Sequence, residues 1–379
     1  MPVLLTDKER ALFAHAKEFS LANFAPYAAQ WEEARSLPME TVELVRKNGF
    51  FGIGSPVELG GSGYNYLETA LTYEGLAYGD GGFAFFVQLH NNIAFELATF
   101  YETTDTVKKL VPEMVRGEKL TAFALTDDDG GSDPFATTAY AEERDDGFHL
   151  FGEKSWVSNS VNAEYFSVFV KDGTPKGMVM LLVHRDTPGF EVKQDIRRIG
   201  GNVMSCGRIK MDDVVVSKDF LLSRKGFKEA LRAIDVARIF VPAIAVGVAQ
   251  RAIDITAKHL ATRCSFGTPI LNNQAPQFEL AELTAEVEAA RWLAYHTASV
   301  KDSGANVSLM AAKNKLFGPD MALRVTTRCG QWFGAKSCEY DSEITRCINT
   351  ARTMKILDGS TEMQKIVIGR EIEKTPGRN

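Results

Sequence analysis

The sequence predicts an α+β protein in three successive parts, helical, then β, then helical, the last of them a four-helix bundle. Three observations carry that expectation. Apolar residues recur at helical spacing through the first ~120 positions. From about Thr121 to Leu222 the texture changes to short β-like runs between turn residues, and after Gly226 longer helical patterns return. The expected divisions are 1–120, 121–225 and 226–379, in a chain of 379 residues with room for two or three domains.

A capping box at Thr6 and Glu9 opens the first helix, with Leu12, Phe13 and Ala16 at helical spacing behind it. Further helices are expected at 39–48, 66–78 and 83–99. They are interrupted by Gly52-Ile53-Gly54-Ser55-Pro56 and Gly60-Gly61-Ser62-Gly63. In the middle part the clearest strands are 149–151, 165–170, 178–183 and 214–216. Asp145-Asp146-Gly147, Asp172-Gly173-Thr174-Pro175 and Pro188-Gly189 separate them, which predicts a small barrel or sandwich. The last part carries helical patterns at 227–263, 276–300, 307–329 and 361–373, and short loops make neighbours antiparallel. No internal repeat runs at solenoid periods.

Composition narrows the function. A hydrophobic share of 45% with 24% charged residues is that of a soluble globular protein, and a net charge of -6 argues against nucleic acid as a partner. The opening nine residues become charged too quickly for a secretory signal. The longest apolar run, 239–249, contains Pro242 and falls well short of the ~20 residues that span a bilayer, so no membrane partner is expected and the expected location is cytoplasmic. Five cysteines without C-x-x-C spacing read as reduced, buried thiols. The six scattered histidines offer no metal site.

Chemistry is first suggested near the C-terminus, in Ile356-Leu357-Asp358-Gly359-Ser360-Thr361-Glu362-Met363-Gln364. Ser360 suits an N-cap and Glu362 the first turn of a helix, which leaves the Asp358 carboxylate just outside it on a glycine hinge. Alone, this segment reads first as an ordinary turn before a capped helix. Two further motifs stand in the β part: Ala122-Phe123-Ala124-Leu125-Thr126-Asp127-Asp128-Asp129-Gly130-Gly131-Ser132-Asp133 and Gly152-Glu153-Lys154-Ser155-Trp156-Val157-Ser158-Asn159. Hydroxyls and backbone N–H groups on a Gly/Asp loop suit ring and pyrophosphate oxygens. An indole can stack on a planar ring, and strand alternation puts Trp156 and Ser158 on one side.

In order and spacing, these three motifs resemble the acyl-CoA dehydrogenase family across essentially the whole chain. The resemblance implies FAD, held between the β part and the C-terminal helices, with Leu125, Thr126, Ser132, Trp156, Ser158, Ser360 and Glu362 among its contacts. Arg263-Cys264-Ser265-Phe266-Gly267 resembles the family's R-x-[ST]-F-G, which implies that Arg263, Ser265 and Phe266 reach the FAD of a neighbouring subunit. Gln331 and Gly334 resemble the loop that also approaches it, although Ala335, Lys336 and Ser337 depart from its usual glycines. A homotetramer follows from that sharing. Ser132, Asp235, Arg238 and Gly359 would touch the acyl-CoA, the first three along its pantetheine arm. Aligning Leu76-Ala77-Tyr78-Gly79 with the family's pocket-floor helix puts Phe85, Phe86 and Gln88 near the acyl group. An ordinary helix core and an ordinary Asp235–Arg238 ion pair would read the same way.

The implied reaction is α,β-dehydrogenation of an acyl-CoA thioester, with Asp358 as base, hydride passing to the flavin, and an electron-transfer flavoprotein or another acceptor as the next partner. The family usually has Glu where this chain has Asp358, and one methylene fewer shortens the reach by roughly 1.5 Å. Bulky Phe85 and Phe86 would favour a short, branched or cyclic acyl group, such as cyclohexane- or cyclohexene-carboxyl-CoA. A flavin oxidase of the nitroalkane type and a flavin- or CoA-binding subunit without turnover stay open as alternatives.

Overall fold

The computed structural model describes residues 5–101 and 103–374; Met1 to Leu4, part of the stretch read for a targeting signal, lie outside them. The N-terminal helices are α1 (Asp7–Asn23), α2 (Ala28–Ala34), α3 (Met39–Lys47), α4 (Tyr66–Gly79), α5 (Gly81–Thr99) and α6 (Asp105–Val115). The capping box forms as read, Thr6 accepting from the Glu9 N–H and Glu9 from that of Thr6. Helix α6 was not foreseen.

One mixed sheet follows, made of β1 (Thr121–Ala124), β2 (Tyr140–Arg144), β3 (Gly147–Ser158), β4 (Tyr165–Lys171), β5 (Met178–His184), β6 (Phe190–Lys193), β7 (Cys206–Val216) and β8 (Leu221–Ser223). Its order is β6-β7-β3-β2-β4-β5-β8, with β1 pairing β4 in parallel. One face buries Leu150, Phe166, Val168 and Ile209. The other buries Phe169, Met178, Met180 and Leu182 against Ile93 and Leu97 of α5 and Val107 and Val111 of α6, which seats the sheet on the N-terminal helices.

The C-terminal part contains α7 (Gly226–Thr262), a two-residue hairpin of β9 (Cys264–Ser265) and β10 (Thr268–Pro269), then α8 (Gln274–Asp302), α9 (Ser308–Gln331), α10 (Glu343–Met354) and α11 (Thr361–Lys374). The bundle is α7 to α10. Its fourth member is therefore α10 rather than the 361–373 helix, and α11 lies outside it against α9 with only Gln364 fully buried. No helix among the described residues is long and apolar enough to cross a membrane. Of the five cysteines, all free, Cys264 and Cys338 are exposed, which corrects the expectation that all would be buried: they sit on a hairpin and a surface turn, away from any packed face.

The start of α5 is where the parts converge. A Cβ on Gly81 would stand 2.5 Å from Val248 of α7 and 2.9 Å from Thr350 of α10, and one on Gly82 would stand 2.5 Å from Val203 of the β part. Glu32 of α2 reaches the same loop, accepting from the Asn202 amide (2.8 Å) and the Val203 N–H (3.2 Å).

Buried His90 on α5 hydrogen-bonds the Met114 carbonyl through Nε2 (2.8 Å), while its Nδ1 faces the Thr121 N–H (3.2 Å). Burial holds this imidazole down to about 4 from 6.5. The unfolded chain thus takes up this proton first. Its contribution is complete above about pH 6.5 and is lost as pH falls toward 4, by about 3 kcal/mol in all. Urea midpoints should show wild type losing more stability than His90→Gln between pH 7 and 4.5; equal losses would contradict it.

Candidate active site

Between α10 and α11 the chain makes one tight turn. Leu357 N–H donates to Thr353 O (3.3 Å) and Thr361 N–H to Lys355 O (3.1 Å), while Ser360 Oγ accepts weakly from Met363 N–H (3.4 Å) and caps α11. Asp358 sits within it at φ 52, a left-handed conformation that Asp tolerates better than most residues, and Gly359 follows at φ 92. A side chain at 359 would be strained at that φ, and its Cβ, 2.7 Å from Gln364 Nε2 and 2.8 Å from Arg238 Nη2, would push both of those side-chain ends aside.

The carbonyls of this turn are held and its N–H groups are free. Lys315 Nζ, from α9, donates to Met354 O (2.8 Å) and Gly359 O (3.2 Å); Gln364 Nε2 also donates to Gly359 O (2.8 Å), and Arg238 Nε donates to Asp358 O (3.4 Å). The N–H groups of Asp358, Gly359 and Ser360 meet no acceptor among the described residues. Neither does the Asp358 carboxylate make a hydrogen bond or ion pair there. Burial raises its pKa above the ordinary value, opposed by the charges of Lys315 and Arg238. Burial likewise pushes Lys315 down to about 8, with Asp358 opposing and Arg238 reinforcing. The result is an unengaged carboxylate beside an unengaged N–H, the pairing needed to accept a proton and stabilise a developing oxyanion.

Arg238 is buried and pairs with Asp235 (2.8 Å), which also accepts from Ser308 Oγ (3.1 Å). The structure thus brings Asp235, Arg238, Asp358 and Gly359 together. Lys315 was missed by sequence reasoning, because a lysine on a helix ordinarily reads as a solvated face and nothing in Asn314-Lys315-Leu316 marks it otherwise.

A second wall is built on β3. Its register against β7 shifts between Lys154 and Val157, and within that bulge Trp156 takes φ 59, leaving its indole more than half exposed while Val157 points into the core. The Thr126 loop is tied to this strand by Ser155 N–H donating to Thr126 O (2.9 Å) and Lys154 Nζ to Leu125 O (2.9 Å). Leu125, Thr126, Trp156 and Ser158 therefore share one place.

The acids of that loop do not crowd it. Asp127 turns inward and accepts from the Gly130 N–H (2.5 Å), the Thr138 N–H (3.2 Å) and the Thr137 hydroxyl, facing Lys154 at 3.7 Å. Burial pushes the Asp127 carboxyl up, but the Thr137 hydroxyl, Lys154 and the backbone donors together hold it below its ordinary value. Burial also brings Lys154 down to about 8. Asp128 is drawn aside to Arg208 (3.4 Å), and Ser132 is exposed.

A flavin fits these residues. The exposed indole offers a stacking face, and the hydroxyls of Thr126 and Ser158 have no partner among the described residues. Ser155 Oγ, Asn159 Oδ1 and Ser160 Oγ are buried and unsatisfied at the same strand end.

The other predicted residues lie apart. At the β9–β10 tip, Phe266 (φ 51) and Gly267 (φ 87) form the turn, and Phe266 projects fully into solvent with Arg263 and Ser265 also exposed. Gln331 and Gly334 are exposed at the end of α9, where Phe333 stacks on His259. Within one chain, no hydrogen bond or ring contact among the described residues joins these to Trp156 or Asp358. Glu362 lines an open cleft of about 550 Å³ with Arg352, Lys355 and Lys365.

Phe85, Phe86 and Gln88 are buried on α5, and the Gln88 amide has no hydrogen-bond partner among the described residues. A cavity of about 170 Å³ lies nearby, lined by Tyr73, Asn91, Asn92, Phe95 and Phe240, but not by Phe85 or Gln88.

Residues 6–118, 122–214 and 224–373 match the N-terminal, middle and C-terminal domains of acyl-CoA dehydrogenase, respectively. Acryloyl-CoA reductase (NADH) of Anaerotignum propionicum is 31% identical, over 99% of this chain and 96% of its own. The mitochondrial isobutyryl-CoA dehydrogenase of Dictyostelium discoideum is 29% identical, over 98% and 90%. The structure of butyryl-CoA dehydrogenase from Megasphaera elsdenii superposes with a TM-score of 0.93 at 28% identity, covering 98% of this chain and all of that one. The chain belongs to the acyl-CoA dehydrogenase family of oxidoreductases, with FAD as its cofactor.

Proposed function

We propose that this enzyme carries out α,β-dehydrogenation of a short, branched or cyclic acyl-CoA thioester with Asp358 as its base. The observation that carries the proposal is the half-buried, unpartnered Asp358 carboxylate beside its own free N–H. The carboxylate takes the α-proton, and the N–H supports the charge that develops on the thioester oxygen. Bound FAD supplies the two-electron sink that receives the β-hydrogen as hydride. The C–C double bond forms as both hydrogens leave, and the two electrons pass on to an electron-transfer flavoprotein or another acceptor. Leu125, Thr126, Trp156 and Ser158 hold the flavin, with Ser132, Ser360 and Glu362 completing its contacts. Asp235, Arg238 and Gly359 line the thioester arm, and Phe85 and Gln88 bound the acyl group.

The exposed Phe266 hairpin supports a homotetramer in which Arg263, Ser265, Phe266, Gln331 and Gly334 meet a neighbour's cofactor. A fully exposed phenylalanine on a rigid two-residue turn is better suited to burial against another copy than to solvent.

The test is anaerobic flavin reduction by butyryl-, isobutyryl-, glutaryl-, cyclohexanecarboxyl- and cyclohexenecarboxyl-CoA. Rapid bleaching by a compact or cyclic member is expected. Indifference to the whole panel, with oxygen consumption on nitroethane, would replace the proposal with a nitroalkane oxidase.

A further inference from the structure

We infer that Lys315 is a positioning residue for the Asp358 base, acting by stapling the turn that carries it and by setting one positive charge against its carboxylate. The inference rests on the reading of Asp358 as the base.

The geometry is specific. Lys315 is 2% exposed, and its ammonium spans the two ends of the turn, bonding the last carbonyl of α10 at Met354 and the Gly359 carbonyl two residues before α11. Holding both fixes the separation of the two helix ends, and with it the left-handed backbone at Asp358. Gln364 repeats the grip on Gly359 O from α11, and Arg238 reaches Asp358 O from α7.

These bonds engage carbonyls alone, and the N–H groups of Asp358 and Gly359 keep no partner among the described residues. An ammonium at the C-terminal end of α10 also meets the negative end of that helix. The charged groups around Lys315 are few: Asp358 on the turn, and Arg238 on α7, already paired with Asp235. Arg238 is thus partly neutralised by its own partner, while Lys315 has no carboxylate within ion-pair distance among the described residues. Lys315 is therefore the first of the two cations that act on Asp358, with Arg238 second.

Removing that charge makes the half-buried carboxylate harder to ionise, so the base stays protonated to a higher pH. Loosening the staple lets the carboxylate drift from its reacting position, and about 1 Å of drift can cost on the order of a hundredfold. The two effects separate by substitution. Lys315→Met loses both, Lys315→Gln keeps one amide donor without charge, and Lys315→Arg keeps the charge with altered geometry.

The experiment uses the FAD-loaded enzyme. In Lys315→Met, with FAD content and acyl-CoA affinity close to wild type, the acidic limb of the flavin-reduction rate should move up by about one pH unit. The rate at pH 7 should fall by about tenfold or more. The acidic limb of Lys315→Arg should stay near wild type.

A substrate-free measurement runs beside it. The pH dependence of the stability difference between each Lys315 variant and the same variant carrying Asp358→Asn reports the Asp358 pKa. That value should rise in Lys315→Met and Lys315→Gln but not in Lys315→Arg. Unchanged rate, limb and Asp358 titration in a folded Lys315→Met would overturn the inference. If that variant does not fold, identical Asp358 titrations in Lys315→Gln and Lys315→Arg overturn it instead. Asp358→Asn with normal flavin reduction would be a different failure, removing the base assignment and leaving the titration result standing.

Discussion

Asp358→Asn should retain FAD and the acyl-CoA and lose flavin reduction by about 10²–10⁴-fold, the range a positioned general base contributes. Asparagine is nearly isosteric and, like aspartate, tolerates the left-handed φ of 52, so the turn, its Lys315 and Arg238 contacts and the Ser360 cap should persist. What disappears is the proton acceptor. Stopped-flow absorbance at the flavin band measures this directly, with FAD content as the folding control; full-rate bleaching would sink the assignment. The pH dependence has a definite sign. A carboxylate accepts a proton only when ionised, and burial raises the pKa of this one, so wild-type reduction should hold at higher pH and fall as pH drops through that raised value. Asp358→Glu restores the acceptor at about 1.5 Å greater reach. It should cost on the order of a hundredfold with the preferred substrate, because the carboxylate is displaced by more than the ~1 Å that such a loss requires.

The largest expected loss of stability comes from Arg291→Met. Glu74 of α4 is buried and receives Arg291 Nε (2.9 Å) and the Tyr295 hydroxyl (2.7 Å) from α8. Arg291 Nη2 continues to Gln250 Oε1 of α7 (2.9 Å), whose amide donates to Asp254 (2.9 Å), itself bonded by the Tyr78 hydroxyl (2.5 Å). This network joins α4, α7 and α8. Burial already raises the Glu74 pKa, with Arg291 the main opposing charge. Without Arg291 the carboxylate must take up a proton or stay charged and unpaired, at a cost of about 3–5 kcal/mol. At about 2–4 °C per kcal/mol for a large domain, the melting temperature should fall by roughly 10 °C. Arg291→Met combined with Glu74→Gln leaves no unpaired charge and should recover most of the loss. A single variant that melts within about 2 °C of wild type would show that the pair is not needed.

Much of the architecture could be read from periodicity. The patterns at 66–78, 83–99, 227–263 and 307–329 became α4, α5, α7 and α9 within a few residues. Long amphipathic or wholly apolar helices announce themselves, because every turn repeats the same constraint. Short elements do not. Strand β1 spans four residues and owes its existence to parallel pairing with β4, a partner more than forty positions away. Helix α10 escaped because its buried Ile344, Ala351 and Met354 stand among Thr, Arg and Asn, and its place in the bundle was given to 361–373.

By itself the sequence determined the order of the three parts, the FAD-dependent family and the unusual aspartate at 358, because these depend on residue type and spacing along the chain. The tertiary structure alone decided how that aspartate is held. The left-handed backbone at Asp358, the inward turn of Asp127 and the bulge that exposes Trp156 are local, yet each is fixed by a partner distant in sequence. Lys315 shows the difference most plainly. In the sequence it is one lysine among many; folded, burial and two carbonyl oxygens from across the bundle place its charge beside the carboxylate of Asp358.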